Sequence, residues 1–399
     1  MRKIVIASDS FKGSLPAAEV SDALAHGIKS VDRDCEICTI PVSDGGEGLA
    51  ECLVRALDGK MIHCMVNGPL GRPVEAGWGL VADKNGRRTA VVDMASAAGL
   101  SLLAAEERNP LKTSTYGAGQ LLLDALERGC RDIILGIGGS ATNDCAMGML
   151  RALGVRFLDA GGKELKGTGE DLVELRSIDA SSLNPAVREV SVRVACDVSN
   201  PLYGPQGAAC VYAPQKGASP EDVRALDEGL RNFAKVAEDF CGEDVSSFPG
   251  AGAAGGMGAG LKALLGAEMF PGIELMLSML GFDVLLQDCD LVITGEGRMD
   301  VQTLMGKAPA GVLKAASAKG IPAIAIVGAA DLSEDLLSGG FAGIFPVSGK
   351  ELSIEEAMRP EVTRRNLNRT AARIAERLQG KSGEELSDAL RMLAGNDQF

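Results

Sequence analysis

Six loops of the sequence combine glycine with side chains that could take part in group-transfer chemistry. They are DSFKGS (9–14), SDGGEG (43–48), GIGGSATND (136–144), CDVSNPLYG (196–204), GAGAAGGMG (250–258) and GEGRMD (295–300). Most follow short apolar segments that predict β-strands, and doubly wound sheets bind ligands at the carboxyl ends of their strands. Glycine beside aspartate is also ordinary turn chemistry, so one such loop carries little weight. Their recurrence predicts a functional site.

The residue types in these loops fit phosphoryl transfer. That reaction uses glycine-rich amide cradles, cations on the transferring oxygens, carboxylates for Mg²⁺ and a carboxylate near the acceptor hydroxyl. The candidate carboxylates are Asp9, Asp44, Asp197, Glu296 and Asp300, and the candidate cations are Lys12, Arg298 and Lys307. The sequence does not favour histidine-dependent chemistry. The chain contains only His26 and His63, and these two supply too few residues for a His-rich zinc site or a Ser-His-Asp triad.

The segment GIGGSATND leaves a second interpretation open. Gly136-x-Gly138-x-x-Ala141 follows an apolar segment, and Asp159 lies 18 residues beyond Ala141 at the end of the next predicted strand. This spacing satisfies the loose dinucleotide fingerprint and indicates an NAD-dependent oxidoreductase as the alternative. The same turn also contains several groups that suit a phosphate without a dinucleotide: Gly139, Ser140, Thr142 and Asn143.

Two further glycine motifs give weaker signals. GAGAAG (250–255) matches GxGxxG but follows Phe248-Pro249 instead of a strand, so we interpret it as a phosphate loop at a helix N-terminus. Gly306-Lys307 resembles the end of a P-loop, but Val301 and Ala308 occupy the positions that need glycine and Ser/Thr. If the chain uses ATP, it therefore does so with another loop design.

Composition narrows the class of protein. The 399 residues include 40 Lys and Arg and 54 Asp and Glu, a net charge of −14, and only 4% aromatic residues. Such a chain is a poor general binder of nucleic acid or anionic membranes. The ten cysteines show no repeated spacing, which fits a reducing compartment. With no signal-peptide pattern and no apolar run of about 18 residues, we expect a soluble cytoplasmic protein.

Both ends of the chain alternate strands and helices. Short apolar segments at 3–8, 35–41, 290–294, 322–327 and 343–347 predict strands, with helical segments between them. This alternation predicts a doubly wound α/β domain, with a parallel five-stranded sheet of flavodoxin-like order and helices on both faces.

The middle of the chain predicts a different architecture. Segments 74–83 and 88–94 flank Asn85-Gly86, a strong signal for an antiparallel hairpin. Further strands are predicted at 132–137, 155–159 and 192–196, and a long helix at 221–240. We therefore expect residues 1–60 and 286–399 to form the doubly wound domain. Residues 61–285 should form a mixed α/β domain inserted after its second strand, with the active site in the interdomain cleft.

As a set, the motifs resemble the type 1 glycerate kinase family. The resemblance rests on SDSFKGS, PVSDGGEG, GIGGSATND, CDVSNPLYGPQGA with YAPQKGA, GAGAAGGMG and VITGEGRMDVQTLMGKAP, which run from residue 8 to residue 309. One departure is visible, since Cys145-Ala146 stand where the family pattern leads us to expect more glycine. Small residues there still permit a close approach of the backbone.

The resemblance implies an ATP-dependent kinase of D-glycerate with two α/β domains, one inserted into the other. Bacterial members of the family commonly phosphorylate the 2-hydroxyl, in glyoxylate, glycerate or sugar-acid breakdown, and others give the 3-phosphate. We expect 2-phospho-D-glycerate, with 3-phosphoglycerate as the alternative. An oxidoreductase would instead bind NAD(H) tightly, and a non-catalytic ligand-binding protein would not need so many carboxylate-glycine loops.

With that reaction assumed, each candidate residue has a hypothetical role. Lys12 and Arg298 should hold the glycerate carboxylate, with Asp9 and Ser10 also in the substrate site. Asp44 or Asp197 should orient and deprotonate the acceptor hydroxyl. Mg²⁺ should be held by Asp197, Glu296 or Asp300. The ATP phosphates should contact two glycine turns: Gly138, Gly139, Ser140 and Ala141, and Gly255, Gly256 and Gly258.

Overall fold

The computed structural model of the chain describes residues 3–43, 48–82, 86–348 and 353–395. The chain divides into two compact units, which we call unit 1 (Met1–Asp44 and Ile273–Phe399) and unit 2 (Gly45–Gly272). Within the described ranges, no helix combines the length and the apolar character needed to span a membrane.

The strands and helices have the following bounds. The strands are β1 (Lys3–Ser8), β2 (Glu36–Pro41), β3 (Lys60–Asn67), β4 (Pro73–Ala82), β5 (Arg88–Asp93), β6 (Asp132–Gly136), β7 (Arg156–Leu158), β8 (Ser177–Asp179), β9 (Ser191–Ala195), β10 (Glu268–Phe270), β11 (Leu291–Gly295), β12 (Arg298–Met299), β13 (Ala323–Val327), β14 (Ala329–Ala330) and β15 (Gly343–Pro346). The helices are α1 (Ala17–Val31), α2 (Leu49–Ala56), α3 (Ala95–Ala98), α4 (Tyr116–Glu127), α5 (Met147–Ala152), α6 (Ala208–Tyr212), α7 (Pro220–Cys241), α8 (Ala253–Leu265), α9 (Gly272–Met279), α10 (Phe282–Leu285), α11 (Ala308–Ala318), α12 (Glu334–Leu337), α13 (Ile354–Ala357), α14 (Pro360–Leu378) and α15 (Gly383–Gly395).

Unit 1 contains a five-stranded sheet with the order β15-β13-β11-β1-β2, and every neighbouring pair is parallel. Counted along this unit, the order is 2-1-3-4-5, which confirms the flavodoxin-like prediction. Every residue of β11 and of β13 is buried, because helices cover both faces of such a sheet. On one face α1 packs against α14, and a Cβ at Gly27 would lie 2.3 Å from the Asn368 carbonyl oxygen. That helix contact therefore requires glycine.

Unit 2 contains a six-stranded mixed sheet with the order β10-β9-β6-β5-β4-β3. Strands β3, β4 and β5 are antiparallel neighbours, whereas β5, β6, β9 and β10 are parallel. The predicted hairpin is confirmed in its strands, although Asn85 at its turn lies outside the described residues. The predicted strand at 155–159 shortens to β7, which pairs with β8 in a separate two-stranded sheet outside the main sheet.

The unit boundaries differ from the predicted divisions at residues 60 and 285. Helix α2 belongs to unit 2, where a Cβ at Gly79 of β4 would lie 2.6 Å from Val54 Cγ2. Helix α9 belongs almost wholly to unit 1, where a Cβ at Gly311 would lie 2.5 Å from Ile273 Cγ2. The prediction from strand-helix alternation places each helix in the same domain as the strand before it. These two helices instead pack where a glycine leaves room for their side chains.

Candidate functional site

The loops after β1 and β11 meet at the topological switch point of the unit 1 sheet. Ser8 and Gly295, the last residues of these two strands, are register partners, and the Asp9 amide donates to the Gly295 carbonyl oxygen at 2.9 Å. In the order 2-1-3-4-5 the connections leave these neighbouring strands in opposite directions. A crevice therefore opens beyond their carboxyl ends.

A cavity of about 450 Å³ occupies this crevice. Its lining includes six of the residues selected from the sequence, namely Asp9, Ser10, Lys12, Glu296, Arg298 and Lys307. Apolar side chains complete one wall, among them Phe11, Val347, Ile354 and Met358. Unit 1 thus brings together the predicted substrate-binding residues and one predicted metal ligand.

Glycines allow the loops around this cavity to approach one another. A Cβ at Gly295 would lie 2.0 Å from the Ile326 carbonyl oxygen, and one at Gly328 would lie 2.3 Å from the Gly297 carbonyl oxygen. The Gly328 amide also donates to the Glu296 carbonyl oxygen at 3.0 Å. Gly328 therefore lets the loop after β13 pack directly against the loop after β11.

Charged groups in the crevice divide into buried carboxylates and exposed cations. Asp9 and Glu296 are 9% and 8% exposed, whereas Lys12 and Arg298 are exposed. Asp9 Oδ1 accepts a hydrogen bond from the Ser10 amide at 2.6 Å, and Glu296 Oε1 accepts one from Thr303 Oγ1 at 2.5 Å. Carboxylates that are fixed by such hydrogen bonds can orient a hydroxyl group, and the exposed cations can bind an anion.

Two of the predicted metal ligands lie near one another in unit 1. Lys307 Nζ lies 4.0 Å from Glu296 Oε2 and 3.8 Å from Asp300 Oδ1, while Asp300 Oδ1 also caps the Gln302 amide at 2.9 Å. Among the described residues, no group of three or more His, Cys, Asp or Glu side chains could hold a metal ion. Mg²⁺ at phosphate sites commonly uses one or two carboxylates together with phosphates and water, and its binding by Glu296 and Asp300, which face the Lys307 ammonium, stays a prediction.

Unit 2 places its predicted loops at one edge of its own sheet. Gly136 and Ala195, the last residues of the parallel neighbours β6 and β9, are register partners. The turn containing Gly138 and exposed Gly139, with φ +71°, therefore begins at the same edge as Asp197. Asp197 is exposed, and its Oδ1 accepts a hydrogen bond from the Gly272 amide at 2.8 Å.

The structure corrects the prediction for Ala141. Its amide donates to the Ala98 carbonyl oxygen at 2.9 Å, and the residue is buried. The neighbouring Gly139 carbonyl oxygen accepts from the Leu100 amide at 2.9 Å, which fixes the turn against α3 and the segment after it. Because its N–H is already bonded within the protein, Ala141 is not an amide donor to phosphate.

The dinucleotide interpretation is also wrong. Helix α5 begins only at Met147, so the turn at Gly138 does not open directly into a helix as the fingerprint requires. Asp159 follows β7, which lies outside the main sheet, and its Oδ1 accepts from the amides of Gly161 and Lys163 at 2.8 and 2.9 Å. Asp159 therefore stabilises a local turn and does not take the position of a ribose ligand.

Gly255, Gly256 and Gly258 pack against protein. A Cβ at Gly255 would lie 2.2 Å from the Thr142 carbonyl oxygen, one at Gly256 would lie 2.6 Å from Cys145 Sγ, and one at Gly258 would lie 2.1 Å from the Gly250 carbonyl oxygen. All three are buried. Gly255 packs against the end of the loop at 136–144, Gly256 packs against Cys145 just beyond it, and Gly258 packs within its own loop. A contact between the amides of these glycines and phosphate stays a prediction.

A buried polar cluster behind the turn was not selected from the sequence. Lys216 is 3% exposed, and its Nζ donates to Ser140 Oγ and to the Thr142 carbonyl oxygen, both at 2.7 Å. Desolvation lowers the pKa of Lys216 to about 7, although the charge of Asp144 opposes that shift. The available signal was a lysine inside the apolar segment YAPQKGA.

Asp144 belongs to the same cluster and ends the GIGGSATND motif. Its Oδ2 accepts from the Thr115 amide and hydroxyl at 2.8 Å and from the Gly148 amide at 3.3 Å. Burial raises the pKa of its carboxyl to about 6 despite these hydrogen bonds. The carboxylate therefore ties the end of the motif to Thr115, immediately before α4, and to the start of α5. Asp44, by contrast, lies outside the described residues.

Comparison with known proteins gives consistent matches over most of the chain. The model of the glycerate kinase family matches residues 4–379. A glycerate kinase of Halalkalibacterium halodurans is 49% identical over 359 residues, covering 90% of this chain and 94% of that protein. A glycerate 2-kinase of Escherichia coli K12 is 45% identical over 360 residues, covering 90% and 93%. A crystal structure assigned as glycerate kinase 2 from Salmonella typhimurium LT2 shares 42% identity, with a TM-score of 0.85 and coverage of 95% and 98%.

Proposed function

Because the chain belongs to the glycerate kinase family, we propose that it transfers the terminal phosphoryl group of ATP to the 2-hydroxyl of D-glycerate. The products are 2-phospho-D-glycerate and ADP. The unit 1 crevice carries this proposal, because it gathers exposed cations and buried carboxylates around one cavity. The choice of the 2-hydroxyl is supported by the 45% identical relative described as a glycerate 2-kinase.

Glycerate recognition is assigned to the loops after β1 and β11. Lys12 and Arg298 are exposed in the cavity lining and bind the substrate carboxylate through charge-assisted hydrogen bonds. Asp9 and Ser10 lie in the same lining and bind the hydroxyl groups. A strongly acidic chain can hold a small anion this way, since local cations decide the potential inside a crevice.

Nucleotide binding is assigned to the turn after β6. The amides of Gly138, Gly139 and Ser140 are the proposed phosphate donors, and the φ of +71° at Gly139 suits a turn that points successive N–H groups to one side. The turn lies at the carboxyl end of a buried strand, where parallel sheets bind ligands. Contacts of Gly255, Gly256 and Gly258 with phosphate belong to the same proposal.

Residues of this chain would share the remaining tasks of the transfer. Asp44 or Asp197 accepts the proton of the acceptor hydroxyl, and in a loose transition state its positioning of that oxygen matters as much as its basicity. Glu296 and Asp300, with Asp197, are the proposed ligands of Mg²⁺. When bound, this ion neutralises charge on the β- and γ-phosphate oxygens.

The proposal is tested by measuring ADP release from the purified protein with ATP, Mg²⁺ and D-glycerate. Release should require all three, and phosphorus NMR of the product should show phosphate on the 2-oxygen. Formation of 3-phosphoglycerate would replace the proposed position while leaving the kinase reaction intact. Absence of any glycerate-dependent ADP release would contradict the proposal.

A matched pair of arginine variants tests the assignment of the crevice. Arg298→Ala removes a proposed carboxylate ligand, so KM for D-glycerate should rise by about tenfold or more, the scale of a lost charged hydrogen bond. Arg365→Ala removes an exposed arginine of α14 in the same unit and should leave KM unchanged. If Arg298→Ala lowers only the thermal midpoint, Arg298 is structural.

A further inference from the structure

Lys216 lies behind the turn to which we assign the nucleotide phosphates. It ends a short 3₁₀ segment (Pro214–Lys216) between α6 and α7, and it is 3% exposed. A buried ammonium is costly unless hydrogen bonds compensate it. Its acceptors are Ser140 Oγ, in the turn after β6, and the Thr142 carbonyl oxygen, just beyond that turn, both at 2.7 Å. Lys216 thus ties a distant part of the chain to this turn.

The direction of the hydrogen bond between Lys216 and Ser140 has a chemical consequence. An ammonium group carries donors only, so Ser140 Oγ must act as the acceptor. Burial favours the neutral amine and lowers the pKa of Lys216 to about 7, whereas the negative charge of Asp144 favours the ammonium. The charge of a bound polyphosphate would favour the ammonium further. With its oxygen accepting from Lys216, the Ser140 hydroxyl keeps its own hydrogen for another acceptor.

The surroundings of Ser140 limit where that hydrogen can point. The residue is 8% exposed and precedes Ala141, whose amide is bonded to the Ala98 carbonyl oxygen. The exposed side of the turn begins at Gly139, immediately before Ser140. A second, independent feature is a set of fully buried polar atoms beyond the turn that find no hydrogen-bond partner within the described part of the chain, namely Thr142 Oγ1, Asn143 Nδ2 and Oδ1, and Asp144 Oδ1. Lys216 supplies two of the hydrogen bonds that hold this polar segment.

We propose that Lys216 is a positioning residue that presents the Ser140 hydroxyl as a hydrogen-bond donor to a nucleotide phosphate. The inference rests on the proposed function, since it deepens the assignment of the turn after β6. Lys216 itself does not contact the nucleotide. It acts through the oxygen of Ser140 and through the carbonyl group of Thr142, which hold the turn in its binding conformation.

A double-mutant cycle with ADP as the probe tests this role. Ser140→Ala and Lys216→Met should each weaken ADP binding by about tenfold, the scale of one hydrogen bond to a charged group. Because the hydroxyl removed by Ser140→Ala is one that Lys216 orients, the double variant should lose no more than about twofold beyond the weaker binder of the two. Calorimetric titration gives these affinities, and steady-state kinetics should show KM for D-glycerate within about twofold of wild type.

Control variants separate positioning from general structural support. Lys163→Met changes an exposed lysine of unit 2 and should leave ADP binding unchanged. Ser140→Thr keeps the hydroxyl and should bind ADP more tightly than Ser140→Ala. Fully additive losses in the double variant, or wild-type ADP affinity in folded Lys216→Met, would overturn the inference.

The remaining outcomes are also informative. If Lys216→Met does not fold, wild-type ADP affinity in Ser140→Ala would overturn the inference, because the hydroxyl would then have no role. If the wild-type protein binds ADP with the predicted coupling but does not phosphorylate D-glycerate, the proposed function fails and the role of Lys216 stands. A wild-type protein that binds no ADP overturns the inference itself.

Discussion

The two units prepare their candidate ligand sites in different ways. In unit 1, side chains such as Lys12 and Arg298 are exposed in a cavity of about 450 Å³. In unit 2, buried Lys216 donates hydrogen bonds to Ser140 Oγ and to the Thr142 carbonyl oxygen, and Asp144, at the end of the same loop, is also buried. Unit 1 exposes charged side chains in its cavity, whereas unit 2 holds its turn through hydrogen bonds from a buried lysine.

The difference predicts separate consequences for substitutions in the two units. A side chain exposed in a cavity can be removed without opening the core, so binding changes while stability is retained. A turn built on close backbone packing loses stability and binding together, because its geometry depends on glycines that admit no larger residue.

The largest expected effect is on the stability of unit 2. A Cβ at Gly260 of α8 would lie 1.9 Å from the Cys145 carbonyl oxygen, which is backbone and cannot rotate away. Gly260→Ala should lower the free energy of unfolding by about 3 kcal/mol or more, at the upper end for overpacking. The chain has one tryptophan, Trp78, which is fully buried in β4, so its fluorescence reports the unfolding of unit 2.

Gly266→Ala is the matched control at the end of the same helix. Gly266 has φ +60°, and a Cβ added there would have no atom within 4 Å, so only the backbone strain of about 1–2 kcal/mol applies. Equal losses in the two variants would show that close packing of α8 against the segment at Cys145 is not what maintains unit 2.

The next largest effect concerns the proposed base. Asp44→Asn should lower kcat by about 100-fold or more, the scale of a lost general base, with a thermal midpoint near that of wild type. Asp34→Asn, at an exposed position shortly before β2, is the control and should keep full activity. Near-wild-type turnover in Asp44→Asn would transfer the role to Asp197.

The order of the unit 1 strands could be predicted from the sequence because apolar β-branched segments alternate with helical ones. Residues at strand ends, such as Asp9 and Glu296, could be placed in one crevice for the same reason. The domain boundary could not, because α2 follows β2 in the sequence but packs on β4, where Gly79 leaves room for Val54. A local pattern does not show which sheet a helix will cover.

The buried cluster of unit 2 escaped sequence reasoning for a related reason. Lysine is ordinarily exposed, and nothing near Lys216 in the sequence shows that Ser140 and Thr142 will accept hydrogen bonds from it. The departure at Cys145 and Ala146 was visible, and the structure explains its cost, since both residues have positive φ, +50° and +59°. Glycine adopts that conformation without strain, so the expectation of glycine there had a sound physical basis.

A smaller effect is expected for the candidate metal ligands of unit 1. Glu296→Gln keeps an oxygen that can accept from Thr303 but removes the negative charge, so the Mg²⁺ concentration for half-maximal activity should rise by about tenfold. Glu334→Gln, at an exposed position in α12, is the control. An unchanged Mg²⁺ dependence in Glu296→Gln would show that Glu296 is not a metal ligand and that the exposed cations are the functional charged groups of this crevice.

The smallest effect is a pH dependence that should be confined to unit 2. The folded pKa of Lys216 is about 7, below its unfolded value of 10.5, so the unfolded state holds more protons between these values and stability should increase as the pH rises above 7. Asp144 affects stability in the opposite direction, because its folded pKa of about 6 exceeds its unfolded value of 3.8. Its contribution to stability should decrease as the pH rises from about 4 to about 6. Urea unfolding followed by Trp78 fluorescence at about pH 7.5 and about pH 8.5 should show a gain of about 1 kcal/mol in wild type. The gain should disappear in Lys216→Met, and its persistence there would show that other groups titrate in unit 2 and that Lys216 stays charged beneath the turn.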